Sequence, residues 1–221
     1  RTADAYRAAD VRRAGADLSR SETAVQWLEQ IETAINSQSI GDRITGFFNS
    51  ATTLAADPSA ITPRAQMLEA ANGVAVAIST VGDELTRMSE QLDASATQGV
   101  AQLNGLTQTL AKVNDSLTRT QPGTVAHALL ADQRDNLLGQ MSALIDASAS
   151  FDDFGRATVR MGGSTGPVLV APDGAGQVSF ARNSSGAFQF AIDRGVTTAA
   201  FAPAGGMLAG VVDSAQRIGD A

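Results

Sequence analysis

Apolar residues recur at helical spacing through the first two-thirds of the chain and alternate with polar ones near its end. From Thr2 to about Ile35, Tyr6, Leu18, Val25, Leu28, Ile31 and Ile35 follow a helical period with no proline, which predicts one long helix weakened at Gly15. Gly41–Ala56 sets Ile44, Phe47, Phe48, Ala51, Leu54 and Ala55 on one stripe and meets Asp57-Pro58, where proline disfavours helix in the preceding residue. After Pro63 a longer seam runs through Leu68, Ala71, Ala75, Ile78, Val81, Leu85, Met88 and Leu92, then Leu103, Leu106, Leu110, Val113 and Leu117. Its alternating steps of three and four are those of a coiled coil. Between the two halves the seam thins to Ala96 and Val100 beside Gly99, which predicts a slight bend or looser packing. Unbroken from Pro63 to Thr118, the helix would span roughly 80 Å at 1.5 Å per residue. Gln121-Pro122-Gly123 reads as a turn, and Val125 to Ala147 as a helix folding back antiparallel, with the first helix alongside to close a bundle.

The helical period stops near Phe151. Val159 and Met161, Val168 and Val170, Val178 and Phe180, then Phe188, Phe190 and Ile192 alternate as half-buried strands do. Turn chemistry separates them at Gly162-Gly163-Ser164, Pro172-Asp173-Gly174 and Asn183-Ser184-Ser185-Gly186. Four short strands in sequence predict an antiparallel meander. After Pro203 and Gly205-Gly206, helical spacing resumes through Met207, Leu208, Val211, Val212 and Ile218. The expected fold class is therefore α+β: an elongated antiparallel helical bundle with long coiled-coil-like helices, plus a small antiparallel β meander inserted before the returning C-terminal helix. Residues 1–150 with 203–221 form the helical domain, and residues 151–202 the small β domain. The meander's own core is small, so it leans on the helices, while the helices are expected to hold their fold without it.

Composition narrows the chemistry. The 221 residues carry 16 basic and 23 acidic side chains, a net charge of −7, no cysteine, one histidine and one tyrosine. The sequence pI is about 4.6. Binding to nucleic acid needs clustered Lys and Arg that release counterions from phosphates, and this chain does not offer them. Zinc, iron–sulfur, disulfide and Cys–His chemistries lack their ligands. No run reaches the roughly 18–20 apolar residues of a membrane span, and no signal segment opens the chain.

The remaining candidates read as structural. His127, at the start of the fourth helix, would need an orienting partner and a nucleophile to act as a base, so a helix-surface role is favoured. In Asp132-Gln133-Arg134-Asp135, the two aspartates share a helix face while Arg134 points elsewhere. Two carboxylates could ligate calcium, but no glycine-turned loop supplies further oxygens, which favours a solvated or hydrogen-bonding face. Asp152-Asp153 is read as a capping or turn pair and not an acid–base dyad. Gly162-Gly163 and Gly205-Gly206 lack phosphate-loop spacing and read as turns. Trp27, Phe47 and Phe48 are expected to anchor the core where the first two helices meet. No catalytic, cofactor-binding or metal-binding residue is expected.

Three segments then carry a resemblance. Phe47-Phe48-Asn49-Ser50 is followed by Leu54-Ala55-Ala56-Asp57-Pro58-Ser59 and a long helix. Leu130-Ala131-Asp132-Gln133-Arg134-Asp135-Asn136-Leu137-Leu138 lies after that helix, and Gly205-Gly206-Met207-Leu208-Ala209-Gly210-Val211-Val212-Asp213 leads into the last one. In this order they resemble the family of the first flagellar hook-associated protein, in the flagellin and hook-associated superfamily. The chain departs from the family's wording at Ala131, where a larger aliphatic residue is usual, and at Asp213-Ser214, which lacks a following basic residue.

The resemblance implies a structural subunit of the bacterial flagellum that forms the hook–filament junction and acts by subunit packing, not catalysis. It implies secretion to the extracellular flagellum by a route without a cleaved signal peptide. The implied partners are the flagellar hook, the adjacent junction proteins, an export chaperone and further copies in a ring; no nucleic acid and no membrane span are implied. Arg1 is not an initiator methionine, so both ends read as cut, and the polymerising terminal segments of the family are expected to lie outside these residues. The residues alone are then expected to be monomeric. The alternatives are a helical stalk with an adhesive or carbohydrate-binding β module, or another axial protein such as the second junction protein or flagellin. A signalling coiled coil would be expected to continue its seam without a β insertion, and an enzyme fits least.

Overall fold

The computed structural model describes the backbone of residues 2–220 and the side chains of residues 6–219. Arg1 and Ala221, on which the reading of cut ends rests, lie outside the described residues. Helices α1 (Thr2–Ser37), α2 (Ile40–Ala56), α3 (Ile61–Thr118) and α4 (Val125–Leu144) come first. Seven strands follow: β1 (Ala147–Phe151), β2 (Ala157–Met161), β3 (Val168–Ala171), β4 (Gly174–Ala175), β5 (Gln177–Arg182), β6 (Phe188–Asp193) and β7 (Thr198–Phe201). Helix α5 (Gly206–Asp220) closes the chain. The molecule is thus mostly long helix with two small antiparallel sheets and a helix after them. Pro63 sits inside the first turn of α3, where its missing N–H has no intrahelical acceptor to lose. Helix α4 starts on Thr124, whose hydroxyl accepts from the His127 N–H at 3.3 Å.

The chain forms two compact units, residues 26–91 and residues 1–25 with 92–221. In the smaller unit the buried apolar residues are Ile31, Ala34, Ala77 and Val81. Helix α2 buries no residue fully. The inward face of α3 here differs from the expected seam: Leu68 and Ile78 are exposed, and Met67, Ala70, Val74 and Ala77 are the more covered positions. Small residues decide this, because they let the helices approach. A Cβ on Gly73 would lie 3.6 Å from the Arg43 guanidinium.

In the larger unit one buried cluster joins Leu103, Leu110, Val113 and Leu117 of α3 to Leu138 and Met141 of α4 and Leu208 of α5. The same cluster contains Val159 and Met161 of β2, Val170 of β3, Val178 of β5, and Phe190 and Ile192 of β6. The strands share the helices' core and do not stand outside it. The expected thin stretch of α3 is tightly filled: Ala96 is fully buried, and a Cβ on Gly99 would meet the Met207 methyl at 2.4 Å. Small residues there mark the close approach of α5, in place of the expected looser packing.

The expected four-strand meander is corrected to two sheets. Strands β1-β2-β3-β4 form one and β5-β6-β7 the other, all antiparallel. The four expected strands are β2, β3, β5 and β6. Strand β1 begins at Ala147, where a helix was expected to be ending. Helix α4 has stopped at Leu144, because Ile145 is extended and the Ile145 N–H bonds to the Met141 carbonyl as a cap. The three unexpected strands are built largely of alanine with small or polar neighbours, or are only two residues long, so they carry no strong alternation.

Candidate functional site

Side chains that tie one element to another make up the most organised chemistry of the larger unit. Asn114, on α3, is fully buried. The Asn114 amide donates to the Ala157 carbonyl and accepts from the Ala157 N–H, both at 2.8 Å. Ten residues earlier, Asn104 repeats the arrangement on the second sheet, donating to the Val178 carbonyl at 2.9 Å and accepting from its N–H at 2.8 Å. A side-chain amide has the donor and acceptor spacing of a backbone peptide, so each asparagine pairs with its strand as a neighbouring strand would. One helix thereby holds both sheets, and at Val178 it occupies backbone groups of an edge strand.

Arg134 is the second fastener. The Arg134 guanidinium, 11% exposed, donates to the Gly155 carbonyl in the β1–β2 turn, pairs with Asp135 at 2.7 Å and lies 4.2 Å above the Phe151 ring. The expectation that Arg134 points away from its neighbour is therefore corrected. Its long side chain bends back, because the turn carbonyl and the Asp135 carboxylate can both be reached by one planar fork. Asp132 is exposed beside this cluster. His127 reaches the turn before α4, where the His127 Nδ1 lies 3.1 Å from the Thr120 hydroxyl.

Asp152 organises the β1–β2 turn. The Asp152 carboxylate accepts from the Phe154 and Arg156 N–H groups at 3.0 and 2.9 Å and from the Arg156 guanidinium at 2.7 Å. Desolvation alone would raise this carboxyl, but the Arg156 backbone and side-chain bonds with the Phe154 N–H outweigh it and hold it below the ordinary range. Asp153 is exposed in the same turn. The turn reading of the pair matches this geometry.

The glycine segment before α5 is a packing surface. Gly206 has φ +77°, and a Cβ on it would lie 2.2 Å from the Ile145 nitrogen. One turn later, a Cβ on Gly210 would lie 2.7 Å from the Arg20 carbonyl. Two glycines four apart place both contacts on one face of α5. Arg20 of α1 fixes the same junction: it donates to both carboxylate oxygens of Asp213, at 2.7 and 3.1 Å, and to the Ala204 carbonyl at 2.9 Å.

The aromatic anchors are only partly placed as expected. Phe47 is half-buried against Phe48 with ring centroids 5.4 Å apart, and Trp27 is half-buried, but Phe48 is 62% exposed. Adjacent helical residues point about 100° apart, so one face cannot bury both. On the second sheet, Phe180, Phe188, Phe190 and Phe201 contact one another at 5.6–6.1 Å. Arg182 stacks 4.4 Å above Phe188 and pairs with Asp93 of α3 at 2.6 Å.

Among the described residues, clefts open on two sides of this unit. One of about 370 Å³ runs between the sheets past Val168, Ile192 and Arg194, whose guanidinium is paired with Asp173. Another of about 270 Å³ lies between Arg12 and Arg13 of α1 and Ser148 and Gly163. Burial lowers the Arg12 guanidinium, and Asp135 partly opposes this. The carboxylates that line them are engaged elsewhere, Asp173 with Arg194 and Asp146 as acceptor from the Ala204 N–H at 3.0 Å. Among the described residues, no group of three or more acidic or histidine side chains is placed to hold a metal, and no helix is long and apolar enough to cross a membrane.

Two of the three segments singled out by resemblance thus meet distinct packing tasks, one through Arg134 and the other through Gly206, Gly210 and Asp213. Residues 28–221 match the family described as Flagellar hook-associated protein FlgK helical domain. The chain belongs to this family. Flagellar hook-associated protein 1 of Salmonella typhimurium is 25% identical over 187 residues, covering 82% of this chain and 33% of that protein. The corresponding Bacillus subtilis protein is 23% identical over 137 residues, covering 61% of this chain and 27% of its own length. The fold is similar to that of the flagellar hook junction protein FlgK from Burkholderia pseudomallei, with a TM-score of 0.80 at 19% identity over 94% of this chain and 38% of that one. The chain therefore spans about a third of the FlgK relatives it matches, 33% of the Salmonella protein. Of the tying residues, Arg134, Gly206, Gly210 and Asp213 lie inside the recognised wording. Asn104, Asn114 and Arg20 do not, and an asparagine beside an apolar seam is only a hint that does not name its strand partner.

Proposed function

We propose that these residues are the helical and β portion of a structural subunit at the flagellar hook–filament junction, working by packing and not by catalysis. The observation that carries this reading is that the more buried polar side chains join one element to another or fix a turn between elements. Asn104, Asn114, Arg134, Asp152 and Asp213 are all occupied by backbone or guanidinium partners, as a body that holds its shape under mechanical load requires. Family membership supports the same reading. The partners proposed are the hook, adjacent junction proteins, an export chaperone and further copies in a ring; the location proposed is the extracellular flagellum, reached without a cleaved signal peptide. The layout into a helical domain, residues 1–150 with 203–221, and a small β domain, residues 151–202, is part of the proposal; the shared core argues that the two are stable only together.

The test is a segment exchange. The matching part of the Salmonella protein is replaced by residues 28–221 in cells lacking their own copy, and filament attachment and swimming are scored. Attached filaments support the reading. Normal export of the chimera with filament subunits lost to the medium contradicts it.

A further inference from the structure

Half-buried arginines of the larger unit end on an acceptor, with one exception among the described residues. Arg20, Arg134, Arg156, Arg160, Arg182 and Arg194 each donate to a carboxylate or a carbonyl. Arg12 of α1, also half-buried, forms no hydrogen bond and no ion pair among the described residues. Taking a guanidinium out of water without an acceptor is costly. Burial accordingly pushes the Arg12 group below its ordinary value; Asp135 partly opposes this, and Arg134 adds to it. Arg12 lines the cleft of about 270 Å³, and so does Ser148, which is half-buried and whose hydroxyl likewise forms no hydrogen bond among the described residues. Exposed Arg13 stands at the same opening, and Gly162-Gly163, with φ of +65° and +106°, borders it at the end of β2. Asp146 supplies the carboxylate of this lining and accepts from the Ala204 N–H. Two donors thus line one cavity, and neither has a protein acceptor.

We propose that this cleft binds a small oxyanion, a carboxylate or a phosphate-type group, held by the Arg12 guanidinium and the Ser148 hydroxyl. The planar fork of N–H donors matches two oxygens of such a group, and the hydroxyl supplies a further bond. A cavity of this volume takes a ligand of a few heavy atoms and not a large cofactor. Asp146 in the same wall opposes the anion's charge, so the affinity is weak, on the order of millimolar. Binding gives Arg12 the acceptor that the fold withholds, so the anion stabilises the folded protein through this one side chain. The inference does not depend on the flagellar reading.

The test titrates the isotope-labelled protein at neutral pH with acetate, phosphate or sulfate, at constant ionic strength made up with chloride. Nuclear magnetic resonance follows the Arg12 Nε–H and the Gly162 and Gly163 amides. Saturable shifts are expected at all three, with a rise in melting temperature that chloride does not give. Arg12→Gln is expected to weaken binding by at least about tenfold and Ser148→Ala by about threefold, while Arg217→Gln, at an exposed arginine of α5, leaves it unchanged. Saturation by acetate alone identifies a carboxylate ligand, and saturation by phosphate or sulfate a tetrahedral oxyanion; either supports the proposal. Shifts that rise without saturating, that chloride reproduces or that survive in Arg12→Gln overturn it, because they report general attraction to surface arginines. So does an Arg12 resonance that none of the three anions moves, a result read from the parent protein whatever the stability of the variants.

Discussion

Replacing Asn114 by alanine removes both hydrogen bonds to Ala157 and fills the space with nothing polar. Asn114 and Ala157 are each 0% exposed, so a backbone N–H and a carbonyl are left buried without partners. Each such group costs about 1–3 kcal/mol, which predicts a loss of about 2–6 kcal/mol for the pair. A domain's whole stability is about 5–15 kcal/mol, so the change is large. Asn104→Ala is expected to cost less, about 1–2 kcal/mol, because the Val178 bonds are only partly buried and water can replace them. The two sites lie ten residues apart on one helix, about 15 Å along its axis, so their effects should add. Urea unfolding followed by far-ultraviolet circular dichroism measures both, and hydrogen exchange at the Ala157 amide reports the local bond. An Asn114→Ala variant within about 0.5 kcal/mol of the parent, the range of an ordinary surface substitution, would refute the reasoning.

Gly206→Ala should lower stability by about 2 kcal/mol or more, since it combines a positive φ with a clash against the Ile145 nitrogen, and Gly210→Ala should cost about 1–3 kcal/mol; chemical melts check both. The Asp152 carboxyl is held below its usual 3.8, so its contribution is complete above the unfolded value and is lost as pH falls through the folded one. Proteolysis of the β1–β2 turn should therefore rise below about pH 4, and Asp152→Asn should show that susceptibility already at neutral pH. Replacing residues 151–202 by a Gly/Ser linker would uncover Leu110, Val113 and Leu117, and the expected result is loss of a cooperative helical melt. A sharp, strongly helical transition would instead mean that the helices close their core without the strands.

The long helices were legible because a 3.6-residue apolar period survives over many turns, and Gln121-Pro122-Gly123 ends it cleanly. Face assignment was less secure where size and burial diverge. Leu68 and Ile78 were read as inward because they are large, whereas Gly73 and Ala77 set the face by letting helices approach. The thinned seam beside Gly99 suggests a bend or looser packing for the same reason, yet it is where Met207 packs. Strand β1 was hidden because Ala147-Ser148-Ala149-Ser150 has neither strong alternation nor β-branched residues. The asparagine fasteners were invisible because a polar residue on an apolar seam looks like a break until its strand partner is known. Arg134 was placed in a recognised motif, but its turn partner at Gly155 is 21 residues away and no local pattern points to it.

The proposed role requires that these residues hold a packed shape. Filament retention by the Salmonella chimera carrying Asn114→Ala, His127→Ala or Asp132→Ala, set beside the melting temperature of each isolated variant, decides whether it does. Retention should fall with Asn114→Ala, more steeply on warming, and should stay at the parental level for His127→Ala and Asp132→Ala, whose melting temperatures should change little. Loss of filaments with His127→Ala or Asp132→Ala at an unchanged melting temperature would contradict the claim, because function would then depend on a side chain's chemistry and not on the stability of the fold.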